Sequence, residues 1–446
     1  MGTAFCQLKE LCKHDGQSHQ EFHQQRLLYA QADGIGVSCV GKSLAENILK
    51  TLEESGYEAY FVGGCVRDWL LNRPVHDIDI CTNAHPGDVM RLFPQHVPTG
   101  LKHGTVSVKE GGSLFEVTTY RTEGEYEDFR RPKEVNFVSE LQLDLERRDF
   151  TMNAMAMDRY GVLVDPFHGL SDLKNGLIRA VGHPEQRFRE DALRILRAVR
   201  FAAQLNFRIE EKTLAAMKGT AELLQHIAIE RIREELQKML ESPAPAVGTA
   251  LIVETAALQA WPRLQTLFAK AKGQSDRLAA LPNLPHKWAL LMYAAGFLYE
   301  EARQACLELK LSKRDKELIC ALVQTLADIH PKWDVPQNID WQSHLLERGW
   351  QFCTELNALL QACWKNKPDR DIANALMQIY EQMPVKSVQE LALNGHDLYT
   401  QLSKKPGQWV HDLLQHLWEQ TAFYQLPNTP EALLEEARKE VARHEH

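Results

Sequence analysis

The sequence predicts an α+β protein in which a small mixed-sheet head flanked by helices is followed by a long all-α stretch. Three observations lead there. Between about residues 43 and 178, short β-branched or alternating runs (EAYFV, GTVSVKE, LFEVTTYR) are interleaved with helical periods. After Leu177 the strand signals nearly stop, and segments such as RFREDALRILRAVRFAAQLNF, EKTLAAMKGTAELLQHI and AIERIREELQKMLES carry a helical period. Pro and Gly then punctuate the helical half at 243–248, 281–285 and 331–336, where joints between subdomains are expected.

Residues 1–42 are polar, rich in Gln and His and without sustained period, and read as an N-terminal extension. A helix is expected from Ser43, with Leu44, Ile48 and Leu52 on one face and Ser43 and Glu46 spaced as a capping box. EAYFVGG reads as a strand ending in glycines and CVRDWLL as a short helix. DIDI, GTVSVKE and LFEVTTYR follow as strands, and a further pair surrounds NAMAMD and GVLVDPF. The expected layout is a head over 43–178, a helical neck over 179–245, a body over 246–335 and a tail over 336–446. The last charged helix, PEALLEEARKEVARH, reads as a solvated face.

Composition narrows the function classes. The 446 residues carry 51 Lys+Arg against 60 Asp+Glu, a formal charge of −9, with 44% hydrophobic and 25% charged residues. That balance belongs to a globular chain with enough length for several cores, and excludes a disordered binder, a collagen-like fibre and a disulfide-stapled miniprotein. It argues weakly against coating nucleic acid by bulk charge, but leaves room for a local basic site. The 9 cysteines are an odd, scattered set with no zinc-site spacing, as expected of free thiols in a reducing compartment. No signal-peptide pattern opens the chain, and no run approaches the roughly 18 apolar residues of a membrane helix. A soluble, cytoplasmic protein is expected.

Gly36-Val37-Ser38-Cys39-Val40-Gly41-Lys42-Ser43 satisfies the phosphate-loop pattern. That loop must leave a buried strand, and the preceding RLLYAQADG is not one, so Ser43 is assigned to capping instead.

Two features of the head point to phosphate chemistry. In Phe61-Val62-Gly63-Gly64-Cys65-Val66-Arg67-Asp68, a strand, two glycines and a helix start bring free N–H groups and the Arg67 fork together. Such a turn is as often purely structural. The second feature is Asp77-Ile78-Asp79, whose carboxylates would share one face of a strand, as hard divalent cations require for phosphoryl transfer. A lone D-x-D is commonly just an exposed edge; here it follows the glycine turn inside an apolar frame. Glu116, in the strand Leu114–Val117, is a candidate third acidic ligand.

GGCVRDWLLNRPVHDIDI resembles the signature of the DNA polymerase beta superfamily of nucleotidyltransferases, and more closely the bacterial class II tRNA nucleotidyltransferase and poly(A) polymerase family. The similarity continues in order through KHGTVSV, EVTTYRTEGEYEDFRRP, RRDFTMNAMAMD, DPFHGLSDL and RFREDALRILRAVRF, covering about 43–210. LNGHDL and KPGQWV resemble the family's tail. The resemblance implies attack of an RNA 3′-hydroxyl on the α-phosphate of CTP or ATP, with Asp77 and Asp79 holding Mg²⁺ ions and pyrophosphate leaving. Gly64 and Arg67 would line the phosphate side, with Arg148 assisting from Glu146–Thr151.

By period, Glu190–Arg200 is one helix with Ala192, Ile195, Leu196, Val199 and Ala203 facing a core. Asp191, Arg194, Arg197 and Arg200 step every third residue round its other side. Five arginines in 187–200 face only Glu190 and Asp191, a surplus of three positive charges. Spacing alone is satisfied by an amphipathic helix with an ion pair. In the resembled family this Glu-Asp-x-x-Arg helix selects the base. A carboxylate (Asp191) accepts from the amine of cytosine or adenine while a guanidinium (Arg194) donates to the adjoining ring nitrogen. Uracil and guanine would set acceptor against acceptor and donor against donor. Arg197 and Arg200 would reach the triphosphate or sugar.

The polar stretch Thr122–Glu134, with Arg130 and Arg131, is by itself an exposed hairpin loop. In the family, a loop of this length goes with building the whole CCA end. Complete C, C and A addition to tRNA is expected, against CC-only or A-only addition, poly(A) synthesis, or a non-catalytic RNA-binding module. The partners implied are tRNA, CTP and ATP, with no membrane, and a homodimer stays open. Basic residues of the helical half (Lys270, Lys272, Lys310, Lys313, Lys316) are too dispersed to assign RNA contacts.

Overall fold

The computed structural model describes residues 39–124, 126–127, 131–132, 135–329, 339–364 and 372–444. Most of the expected extension over 1–42, and Arg130, lie outside them. The chain divides into two compact units, one holding the residues up to Ala198 with Phe207–Ile227, the other Val199–Asn206 with the residues from Ala228 onward.

The first unit opens on helix α1 (Cys39–Glu54), which begins earlier than expected. Ser43 is therefore internal rather than a cap, and Gly41-Lys42-Ser43 is helical, with Lys42 3.8 Å from Glu46 and over the Trp69 ring. Ala45, Ile48, Leu49 and Leu52 are fully buried along one face. Then follow β1 (Ala59–Val62), α2 (Gly64–Leu70), β2 (Asp79–Thr82), α3 (Pro86–Leu92), β3 (His96–Val97), β4 (Thr105–Glu110) and β5 (Ser113–Thr119). A β-ribbon of β6 (Arg121–Glu123), β7 (Tyr126–Glu127), β8 (Arg131–Pro132) and β9 (Val135–Phe137) comes next, with β6 paired to β9 and β7 to β8. The polar stretch expected as a loop is thus laddered at both its ends. Helix α4 (Leu141–Glu146), β10 (Ala156–Met157), β11 (Leu163–Val164), α5 (Gly169–Lys174) and β12 (Leu177–Ile178) complete the head. Helices α6 (Pro184–Glu190) and α7 (Leu193–Leu205), then β13 (Arg208–Ile209) and α8 (Glu211–Thr220), follow it.

Seven strands form one mixed sheet in the order β11-β10-β1-β2-β5-β4-β3, antiparallel except for the β2–β5 pair. Register sorts its faces. Phe61 lies opposite Ile80, Ile80 opposite Val117 and Val117 opposite Val106, an apolar row on the side where α1 packs. The next row, Val62–Asp79–Glu116–Ser107, necessarily points the other way. On that second face Val62, Cys81 and Ala156 close a core with Tyr120, Leu141, Leu145, Ala154 and Val181.

The second unit is helical: α9 (Ile229–Leu240), α10 (Pro245–Thr255), α11 (Pro262–Ala271), α12 (Leu284–Ala294), α13 (Tyr299–Glu308), α14 (Lys313–Ile329), α15 (Trp341–Trp364), α16 (Ile372–Gln382), α17 (Gly395–Gln401), α18 (Gln408–Phe423) and α19 (Pro430–His444). Trp288 of α12 is buried edge-on to Phe268, and Gly349 (φ 78°) breaks the path of α15. Among the described residues no helix is long and apolar enough to cross a membrane.

Gly169 is the least replaceable glycine of the head. A Cβ there would stand 2.2 Å from the Thr151 carbonyl oxygen and 2.8 Å from its carbon, both backbone atoms. Gly169→Ala should destabilise the first unit by about 1–3 kcal/mol, the range for overpacking. A fall in thermal midpoint and in urea midpoint would register it; an unchanged midpoint would show that the turn yields.

Candidate active site

Asp79 is the first residue of β2, opposite Val62 on one side and Glu116 on the other. Adjoining partners in a sheet project from the same face, so Asp79 and Glu116 stand side by side. The expected strand DIDI does not start at Asp77: the ladder begins at Asp79, opposite Val62, where β1 ends and the chain turns into α2. Asp77 lies exposed in the segment before the strand, near enough to act on Asp79 electrostatically. Burial raises the Asp79 carboxyl above the ordinary carboxylate value; Arg148 pulls it down, and Glu116 and Asp77 push it up again. Among the described residues, no three His, Cys, Asp or Glu side chains gather closely enough to hold a metal ion. Glu116 is the cross-strand neighbour of Asp79.

The glycine turn answers to a specific crowding. Gly63, with φ 77° and ψ −129°, precedes α2, and a Cβ on it would lie 3.1 Å from Nη1 of Arg148 and 3.9 Å from Oδ2 of Asp79. Its positive φ favours glycine, and the guanidinium beside it leaves little room for a side chain. Gly64, the glycine singled out from the sequence, is the first helical residue. Arg67 does not project as an open fork. It is buried, bonded through Nε and Nη2 to Asp68 (3.0 and 2.7 Å) and through Nη1 to Oδ1 of Asn153 (2.8 Å).

From Asn153 a polar relay runs on. Its amide nitrogen donates to Asp149 (3.0 Å), which also accepts from Nε and Nη2 of Arg197 (2.8 and 2.6 Å). Burial raises the Asp149 carboxyl's pKa, but Arg197 and Asn153 outweigh it and hold it well below the usual range. The glycine turn and α7 are therefore joined through Arg67, Asn153, Asp149 and Arg197. Asp149 and Asn153 both sit in RRDFTMNAMAMD, so the sequence motif contained them; their pairing could not be read there.

The expected single helix over Glu190–Arg200 is two. Helix α6 ends at Glu190, Asp191 is extended (φ −137°, ψ 103°), and α7 starts at Leu193. Asp191 caps the second helix, its Oδ1 accepting from the Leu193 N–H at 3.0 Å. Arg194 is held by Glu190 (2.8 Å) and by the carbonyls of Arg187 (3.1 Å) and Arg147 (2.9 Å). Residues three apart on a helix diverge by about 60° per step, so Arg194, Arg197 and Arg200 fan out round α7 and meet different partners. Arg200, expected at the triphosphate, is 8% exposed, much as Arg194 is at 7%, and is bonded to Glu235 at 2.6 Å and Gln204 at 3.0 Å.

The geometry thus puts a carboxylate at the end of a central strand, a glycine turn and a guanidinium within one small region, with a carboxylate–arginine joint supported on the same unit. Known proteins share this plan. The Poly A polymerase head domain family matches residues 59–179, and the tRNA nucleotidyltransferase domain 2 family matches 281–437. A CCA-adding enzyme of Anoxybacillus flavithermus is 40% identical over 395 residues, 88% of this chain and 95% of that protein. The chain belongs to the CCA-adding enzyme family. A crystal structure of the Bacillus stearothermophilus CCA-adding enzyme in complex with CTP superposes with a TM-score of 0.78 at 36% identity, over 90% of this chain and 98% of that one. The Thermotoga maritima CCA-adding enzyme complexed with tRNA shares the fold, with a TM-score of 0.61 at 23% identity over 90% of this chain and 95% of that one.

In the head of this CCA-adding enzyme family member, the raised Asp79 pKa carries a stability cost. The folded state binds that proton more tightly than the unfolded chain does, so stability falls as pH rises from the ordinary carboxylate value through the folded one. In chelated buffer at pH 7, Asp79→Asn should raise the thermal midpoint, and the gain should shrink as the pH drops below the ordinary carboxylate range. A lower midpoint at pH 7 would contradict it.

Proposed function

We propose that this protein adds C, C and A to the 3′ end of tRNA from CTP and ATP, without a nucleic-acid template, releasing pyrophosphate in the cytoplasm. The observation carrying this reading is the 40% identity to a CCA-adding enzyme along 88% of this chain and 95% of that protein. The full stretch between β6 and β9 favours completion of the end over arrest after two C's.

Asp77 and Asp79 are assigned to Mg²⁺. Their carboxylate oxygens are the donors a hard divalent cation prefers, and the half-buried Asp79, crowded by Glu116 and Asp77, is relieved by a nearby cation. When bound, the ions supply Lewis acidity to the attacking hydroxyl and the leaving pyrophosphate. The chain's own residues do the remaining work. The Gly63-Gly64 turn lets backbone approach the phosphates, and Arg148 places positive charge next to Asp79. Arg67 keeps the turn in place through Asn153 rather than holding phosphate itself. Asp191 accepts from the exocyclic amine of the base, while Arg194, oriented by three acceptors, donates to the ring nitrogen. Arg197 acts through Asp149, and Arg200 through Glu235, outside the nucleotide contacts.

The deciding assay gives tRNA lacking its CCA end to the purified protein with CTP, ATP or both. CTP alone should extend it by two residues and both nucleotides by three. Long A tails, or arrest after CC with ATP present, would overturn the assignment. Asp77→Ala should abolish incorporation. Asp191→Ala should admit UTP and GTP while some catalysis survives, and should lower helix stability by about 1 kcal/mol through the lost cap; activity lost with selectivity intact would count against base reading at Asp191.

A further inference from the structure

Asp144 is fully buried, in α4, and touches neither solvent nor any surface a nucleotide could reach. Its Oδ1 accepts from Nε and Nη2 of Arg147 (3.0 and 2.8 Å) and from the Arg121 main-chain N–H (3.3 Å). Its Oδ2 accepts from Nη2 of Arg148 (3.0 Å). The two arginines then part. Arg148 holds Nη1 in the space that a Cβ on Gly63 would crowd, 3.1 Å from it, and brings its charge near Asp79, while its Nε is buried without a partner among the described residues. Arg147 turns its carbonyl to Nη2 of Arg194 at 2.9 Å.

We propose that Asp144 is a positioning residue for nucleotidyl transfer: one buried carboxylate sets both the guanidinium beside Asp79 and the main-chain carbonyl that aims the base-reading Arg194. The inference rests on the roles given above to Asp79 and Arg194. A buried carboxylate shared by two adjacent arginines is over-determined if its task is only to bury charge, since one bidentate partner would satisfy it. Sharing it couples their positions: neither guanidinium moves without disturbing the acceptor of the other. Arg121, at the start of β6, ties the same oxygen to the chain that continues from β5, the strand of Glu116. Asp144 thereby references both arginines to the sheet that carries Asp79.

The test compares Asp144→Asn with wild type on tRNA lacking CCA, reading kcat and KM for CTP and the ratio of CMP to UMP incorporated. The amide keeps the shape but replaces one acceptor oxygen by a donor facing a guanidinium. Expected are a drop in kcat of about tenfold or more and a loss of base discrimination of about tenfold, the scale on which misplaced catalytic groups act. The incorporation ratio is read on active molecules alone, so a poorly folding preparation still reports it. Should Asp144→Asn yield no soluble protein, Asp144→Glu carries the test, moving the anchor by one methylene while keeping its charge; reduced discrimination is expected there too. Activity falling only in proportion to the folded fraction, with KM and discrimination unchanged, marks a purely structural residue and overturns the proposal. Asp79→Asn and Arg194→Ala run alongside. If the first incorporates normally, or the second keeps full selectivity, the underlying roles fail and the proposal with them; if both behave as assigned and Asp144→Asn matches wild type, the proposal alone fails.

Discussion

Two carboxylates out of water, Asp144 and Asp149, impose their requirements on everything near them in the first unit. An ionised carboxylate deprived of water and left unpaired costs several kcal/mol, so it persists only where the chain delivers donors to it. Those donors come from separate places: Arg121 at the start of the ribbon, Arg147 and Arg148 at the end of α4, Asn153 in the turn beyond, and Arg197 in α7. Meeting that demand fixes how the ribbon, α4 and the start of α7 converge. Hydrophobic packing would tolerate small slips among these elements; a carboxylate with several fixed donors does not.

The sheet contributes a different kind of order. Its period of two sends Phe61, Ile80 and Val117 into the α1 side and leaves the neighbouring row for the opposite face. Along that second row the character changes from Val62, which belongs to the core, to Asp79 and Glu116, which do not. A polar site can occupy half of a sheet face because the apolar half closes over α4 and the strands β10 and β11. The glycine at the boundary makes room for a guanidinium where a side chain would otherwise stand.

Much of this was legible beforehand. The α+β class, most of the strands, the glycine turn and Asp79 follow from alternation, punctuation and motif order. What escaped did so for definable reasons. Asp77 falls outside β2, whose ladder to β1 starts only at Asp79, opposite the last residue of β1, Val62; where β1 would end was not readable from DIDI itself. The break at Asp191 hides behind an apolar spacing that continues across it, since Phe188, Ala192 and Ile195 are all buried. Its signal was nonetheless local: an aspartate directly before a run of helix formers is a capping position. The early start of α1 escaped because capping chemistry at Ser43 was plausible on its own. Asp144 had no signal, because sharing one carboxylate between two arginines is a fact of three dimensions.

The joint between α6 and α7 also bears on how much such a site can know. On the base-reading role proposed for them, Asp191 and Arg194 present one acceptor and one donor, and two complementary contacts sort the four bases into two classes of two. In the language of messages, the pair supplies one binary digit per addition. Writing C, C and A in order requires the product to stop at three and to switch letter once, which is more than one digit repeated. That pair of contacts cannot supply the rest, so counting and switching letter call on something beyond Asp191 and Arg194.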